Sequence, residues 1–232
     1  MQEKQTTAVL LFTRTVAEEA AVKDFSGLHH QKANAHIANK LINHAAHIVS
    51  ASGLPFFITD SAHQTGNTFA ERFLYAIQEV YDSGFENVIA IGNDCPALTV
   101  ADILHSKIQL EKNICVIGPA IDGGLYLIGL RKKDFHVDPF LHLPWETKNI
   151  SEAFENYLHE VSATIFSLIL KSDIDGYAAI KQFVHSFLSP AALRLFIQSV
   201  LQSITEKISL YKNLPQHTQL QHISSLRAPP VF

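Results

Sequence analysis

Positive charge is scarce in this sequence. Its 232 residues carry 18 Lys and Arg against 22 Asp and Glu, a formal net charge of −4, so no surplus exists to neutralise a run of phosphates and binding along nucleic acid is not expected. Cysteine is nearly missing. Cys95 and Cys115 form no CxxC pair and no secreted-domain framework, and read as two reduced, buried thiols of a cytoplasmic protein. Long apolar runs are also lacking: Ala8 to Phe12 is too short for a signal-peptide core, and Ala163 to Leu170 too short to span a bilayer. Neither a targeting signal nor a membrane segment is expected. There is no GxGxxG, no GxxxxGKS/T and no GxSxG, which disfavours dinucleotide dehydrogenases, P-loop NTPases and α/β-hydrolases. The 13 histidines include His36, His44 and His47 on one predicted helix, but their spacing is unlike HExxH and they read as solvent-facing imidazoles. Internal repeats and low-complexity segments are absent.

What is present is a composition 47% hydrophobic and 17% charged, in a chain long enough to bury a core without disulfides. Apolar runs bounded by turn residues alternate with stretches of helical period, the pattern of an α/β protein with a mostly parallel sheet. Strands are predicted at Val9 to Phe12, Pro55 to Thr59, Val88 to Ile91, Ile114 to Ile117, Leu125 to Leu130 and Ala163 to Leu170. Helices are predicted from about His30 to Val49, Phe69 to Asp82, Thr99 to Leu110, Ser151 to Glu160 and Asp175 to Ser186. Thr68 with Glu71, and Thr99 with Asp102, have the spacing of capping boxes, in which side chains satisfy amide donors left open at a helix start. The last 47 residues differ in character, with four basic residues against one acidic. The division expected is therefore a nucleotide-binding α/β domain over 1–186 and a helical appendage over 187–232. In the appendage Ser189-Pro190 reads as a helix start, and Leu193, Phe196, Ile197, Val200, Leu201, Ile204, Ile208 and Tyr211 share one face. That face either packs on its own domain or forms a homodimer contact; a membrane surface is disfavoured because few Lys or Arg line the polar side.

Chemistry concentrates at strand ends. Asp94 follows a predicted central strand, and in open α/β sheets ligands gather outside the carboxyl ends of strands. A carboxylate there either terminates the strand or holds a hard divalent cation that bridges phosphate oxygens. Asp122-Gly123-Gly124 precedes another strand, where residues without side chains let backbone approach a ligand or simply reverse the chain. Asp173 and Asp175 follow a third strand and are either helix caps or partners of Asp94 at one metal.

The segments IGNDCPALTVADI, IGPAIDGGLYLIGL and LPWETKNI, preceded by QTGNTFAERF, resemble the core of the DUF2064 family, from about Gln64 to Ile150. That family is similar to nucleotidyltransferases and glycosyltransferases of GT-A fold, including the molybdenum-cofactor guanylyl and cytidylyl transferases and phospholactate guanylyltransferase. The resemblance implies a three-layer α/β/α, nucleotide-diphospho-sugar transferase-like fold and a Mg²⁺ or Mn²⁺ cofactor. It implies that Asp94 and Asp122 are catalytic, that Asp94, Asp173 and Asp175 hold the metal, and that Lys23, Asn93, Gly123, Gly124 and Trp145 contact nucleotide or substrate. Asp173-Ile174-Asp175 resembles the family's DxDTP segment but continues as Gly176-Tyr177. Near the first strand, relatives carry a loop resembling PxxGxVKTRL; here residues 15–25 keep only Val22-Lys23 of it and introduce Glu18, Glu19 and Asp24. The implied reaction is transfer from a nucleoside triphosphate or nucleotide sugar to a small-molecule acceptor. The alternative that the altered loop suggests is a GT-A-fold protein that has lost transfer chemistry and serves as a binding or assembly module.

Overall fold

The structure, a computed structural model, describes residues 6–186 and 189–212. Six strands, β1 (Thr7–Phe12), β2 (Phe56–Thr59), β3 (Asn87–Ile91), β4 (Ile114–Pro119), β5 (Leu125–Arg131) and β6 (Thr164–Ser167), form one sheet in the order β2-β1-β3-β5-β4-β6. β1 pairs in parallel with β2 and β3, as β4 does with β6, while β5 runs antiparallel to both β3 and β4. The expected mostly parallel sheet is thus present with one reversed strand. β5 is reversed because it returns from β4 through a tight turn at residues 120–124, too short for a parallel crossover.

Helices cover both faces, so the central strands are buried on each side and read as unbroken apolar runs. On one face Leu10, Val88, Ala90, Ile117 and Ile128 pack under α3 (Phe69–Asp82), α5 (Val137–Leu141) and α6 (Ile150–Glu160). On the other, Val9, Leu11, Ile89, Ile91, Val116 and Leu127 pack under α2 (Gln31–Ala51) and α4 (Val100–Glu111). Outside α2 a third apolar cluster joins α1 (Val16–Val22), α7 (Tyr177–His185) and α8 (Ala191–Lys212), with Ile37, Leu41, Ile180, Leu193 and Ile197 at its centre. Both capping boxes form: Thr68 and Thr99 accept amide protons from Glu71 and Asp102, whose carboxylates accept from the cap amides.

Several boundaries differ from the sequence reading. The stretch that replaces the relatives' loop is helical, because Thr15 accepts from the Glu18 amide and starts α1. β6 ends at Ser167, and the chain beyond it keeps only isolated links to β4 and the adjoining turn, through Leu168 N–H to Ile117 O and an Ala120–Lys171 bridge. α7 begins at Tyr177 behind Gly176, which leaves Asp175 outside the helix. α5, which contains Pro139 at its middle, escaped the periodicity because five residues make barely one turn. α8 begins just after Pro190; the side chains of Ile208 and Tyr211, and residues 213–232 of the expected appendage, lie outside the described residues. No described helix is long and apolar enough to cross a membrane.

Candidate functional site

The carboxyl ends of β1 and β3 and the turn between β4 and β5 open into a cleft of about 950 Å³. A strand's last residue hands its neighbour to solvent while the ladder still fixes the backbone, so side chains just beyond β1 and β3 are precisely aimed at little cost. Beyond β1, Thr13 donates from its hydroxyl to Asn93 Oδ1 at 2.7 Å. Beyond β3, Asn93 donates from Nδ2 to Asp94 Oδ1 at 3.1 Å and to Glu19 Oε1 at 3.4 Å. Asn93 is buried and fully engaged, so it orients carboxylates from two separate elements.

Lys23 stands at the centre of this acidic group. It caps the C-terminal end of α1, is only 7% exposed, and brings its ammonium to 2.6 Å from Asp94 Oδ1, 2.9 Å from Asp175 Oδ1 and 3.1 Å from Glu19 Oε1. Asp175 reaches it because the Ile174 amide donates to the Asp94 carbonyl at 2.8 Å, pinning the 173–175 segment onto the β3 end. Glu19 is also met by Arg14 Nη1 at 3.3 Å, and Arg14 in turn reaches Glu146 at 3.6 Å. Asp173 is different: among the described residues no cation pairs with it and its Oδ1 is buried without a hydrogen-bond partner, whereas the Lys23 ammonium, likewise outside hydrogen-bond geometry, is held by its three ion pairs.

The electrostatics follow from this crowding. Burial, reinforced by the Glu19 and Asp175 charges, pushes Asp94 up to about 6 against the pull of Lys23. Burial and the charges of Asp94, Asp175 and Asp122 push Asp173 up to about 7. Burial opposes ionisation of Glu19, but Lys23 and Arg14 outweigh it and hold the carboxyl below its ordinary range. Burial likewise disfavours the Lys23 ammonium, and Asp94, Glu19 and Asp175 more than compensate, raising it. Three carboxylates thus share one nearly buried ammonium, with Asp173 and Asp122 beside them, and an all-oxygen donor set with excess negative charge suits a hard divalent cation. Among the described residues no three of His, Cys, Asp and Glu form a ready-made metal cage. Lys23 lies where Asp94 and Asp175 meet.

The remaining residues named from the sequence fall around the same cleft in unequal roles. Asp122 lines it and accepts from the Gly124 amide at 2.9 Å, which shapes the turn. Gly124 lines it as well. Gly123 has φ +91° and faces the Lys148 carbonyl so closely that a Cβ would stand 1.9 Å from it; its lack of a side chain serves chain packing. Trp145 lines the cleft, donates from Nε1 to the Phe140 carbonyl at 2.8 Å, and stacks among Phe69, Phe73 and Phe140. Phe12 extends that aromatic wall. Among the described residues no histidine lines the cleft; His44 lies against the Pro96 carbonyl, and burial lowers its pKa. Asp24 turns away to Ser26, Gly27 and His29. The sequence reading missed Glu19, Thr13, Arg14 and Arg72 as cleft residues. Only Glu19 carried a usable signal, its i,i+4 spacing to Lys23 on a helix.

The chain belongs to the DUF2064 family, described as uncharacterized proteins conserved in bacteria, whose model matches residues 25–147. The Glu19–Lys23 segment precedes the matched part. No curated protein matches the chain in sequence. Among solved structures it is similar to a candidate nucleotide-diphospho-sugar transferase of Desulfovibrio desulfuricans G20, with TM-score 0.70 and 19% identity over 86% of this chain and 98% of that one. That likeness establishes a nucleotide-diphospho-sugar transferase-like fold. Weaker similarity links it to the manganese complex of Rv0371c from Mycobacterium tuberculosis H37Rv, with TM-score 0.42 and 8% identity over 77% of this chain and 97% of that one. A CMP:2-keto-3-deoxy-manno-octonic acid synthetase complexed with CTP is comparably distant, with TM-score 0.40 and 10% identity over 78% of this chain and 96% of that one.

Proposed function

We propose that the chain is a divalent-cation-dependent transferase that takes a nucleoside triphosphate or nucleotide sugar and a small-molecule acceptor into the cleft. The observation that carries this reading is Asp173 Oδ1, a buried carboxylate oxygen with no protein donor beside an acidic cluster. A group left in that state costs folding free energy unless a ligand completes it. Asp94, Asp173 and Asp175 would hold Mg²⁺ or Mn²⁺, which when bound supplies charge neutralisation at the phosphates of the donor. Asn93 keeps Asp94 in position through its amide. Lys23 and Arg14 present cations to phosphate oxygens entering the cleft, and Asp122, at the opposite turn, is placed to orient or deprotonate an acceptor hydroxyl. Gly124 and Trp145 contribute backbone and wall to the substrate space.

The remaining assignments rest on simpler observations. Cys95 and Cys115 are both buried and free, with burial pushing the thiols up to about 12 and about 11, which keeps them unreactive; two unpaired thiols fit a cytoplasmic location. We assign residues 1–186 to the nucleotide-binding domain and 187–232 to an appendage; Leu193, Phe196, Ile197, Val200 and Leu201 of the predicted apolar face pack against the cluster of α1, α2 and α7, which supports packing on its own domain over a homodimer contact.

Calorimetry with CTP, GTP, UTP, ATP and nucleotide sugars, each with and without Mg²⁺ or Mn²⁺, tests the proposal. Binding of one nucleotide should require the cation, and Asp94→Asn should weaken it by about tenfold or more, since one of few charged ligands is lost. Binding that ignores both cation and substitution overturns the reading. It would favour the binding-module alternative, for which the pairing of Lys23 with Asp94 and Asp175 speaks, since there a resident cation already occupies the carboxylates.

A further inference from the structure

We propose that Lys23 is an internal counter-cation that competes with the divalent ion for Asp94 and Asp175 and yields them when a polyphosphate takes over its ammonium. The inference rests on the metal reading above and adds an order to it: in the nucleotide-free protein the metal site is closed by a residue of the chain itself.

The geometry supports it in three ways. First, Lys23 is within 2.9 Å of one oxygen on each of Asp94 and Asp175. An ion drawing on those oxygens would stand a few ångströms from an ammonium, and two cations that close repel strongly in a poorly solvated site. Second, the third acidic partner of Lys23 has its own support, because Glu19 is held by Arg14 and by Asn93. Withdrawal of the ammonium therefore leaves Glu19 partnered while it frees Asp94 and Asp175. Third, Asp173 Oδ1 is the one buried carboxylate oxygen in the group that no donor engages, so the cluster already contains a ligand that the resident cation does not satisfy. Lys23 and Arg14 both line the cleft, where incoming phosphate oxygens offer the ammonium an alternative partner. Metal and nucleotide should then strengthen each other's binding by the same factor, as linkage requires.

The test uses Mn²⁺ alone, read by the loss of its free-ion electron paramagnetic resonance signal and by thermal unfolding, on the full chain and on Lys23→Met. In EDTA the variant should unfold at lower temperature, because three carboxylates lose their shared partner. Its Mn²⁺ affinity should exceed that of the unaltered protein by about tenfold or more, given the repulsion removed, and Mn²⁺ should raise its unfolding temperature by more. If Lys23→Met does not fold in EDTA, the double variant Glu19→Gln, Lys23→Met removes one acidic charge with the ammonium and carries the same Mn²⁺ comparison. Equal Mn²⁺ affinity with and without Lys23 overturns the competition and leaves the metal reading standing. No Mn²⁺ binding by any of the proteins, even with nucleotide, overturns the metal reading and the competition together.

Discussion

The two ends of the sheet bury charge in opposite ways. Where β5 ends and β3 begins, Arg131 and Asp134 form a one-to-one ion pair, each about 6% exposed. Around it the Cys115 thiol donates to Asp134, and the Tyr157 hydroxyl donates to the Asp134 carbonyl at 2.6 Å while accepting from the His136 amide. The two buried charges there partner each other. At the other end Lys23 serves Asp94, Asp175 and Glu19 at once, Arg14 assists Glu19, and Asp173 keeps a buried oxygen with no donor. A balanced buried pair joins elements, whereas an unbalanced cluster is a cost the fold carries for the sake of something that binds. The contrast marks one end as structural and the other as the candidate functional end without reference to any relative.

The largest expected effect lies at the balanced end. Arg131→Met leaves Asp134 buried without its cation, and breaking one side of such a pair should cost about 3–5 kcal/mol. Urea unfolding monitored by Trp145 fluorescence measures it. A loss under about 1 kcal/mol would show that the pair is effectively solvated and would blur the comparison.

The unbalanced end should respond with the opposite sign. Asp173 titrates at 3.8 ordinarily and at about 7 here, so between those values the folded protein holds a proton that the unfolded chain has released. Stability contributed by this group is therefore greatest at low pH and falls as pH rises through that window. Asp173→Asn removes the charge while keeping the shape; in EDTA at pH 8 it should raise stability by roughly 2 kcal/mol and flatten the pH dependence. A destabilised Asp173→Asn would mean that the carboxylate has a structural partner after all, and the two ends would cease to differ.

These two ends were not equally legible in the sequence. Among the described residues, all six strands and six of the eight α-helices followed from apolar period and capping residues, because Val88 to Ile91 or Thr68 with Glu71 are local signals that tertiary structure merely completes. Asp94, Asp122, Asp173 and Asp175 could be singled out because each stands beside a strand end, a position readable from its neighbours. Their convergence on Lys23 could not be read, since it depends on the Ile174 amide meeting the Asp94 carbonyl across 80 residues of chain. The acidic residues of the altered loop were legible only as added negative charge. The structure divides them: Asp24 stabilises a turn, Glu18 accepts from the Ser61 hydroxyl, and Glu19 points inward to Lys23 and Arg14. Helical phase decides between the last two, and without knowing that residues 16–22 are helical no phase exists to apply. Gly123 shows the converse limit. A glycine that suggested close approach of a ligand is required by close approach of the Lys148 carbonyl.

The smallest effect sharpens the comparison from between the two ends. α3 carries Phe69, Phe73 and Arg72 into the cleft, and its start is fixed by local hydrogen bonds of Thr68 and Glu71 that involve neither ionic cluster. Thr68→Ala opens one amide at the helix start and should cost about 1 kcal/mol in urea unfolding. Because the acidic group is anchored by β1, β3, α1 and the 173–175 segment, Mn²⁺ binding should not follow that loss. If it does, the aromatic wall and the carboxylates behave as one cooperative unit, and the division into a structural end and a functional end would have to be redrawn along the cleft.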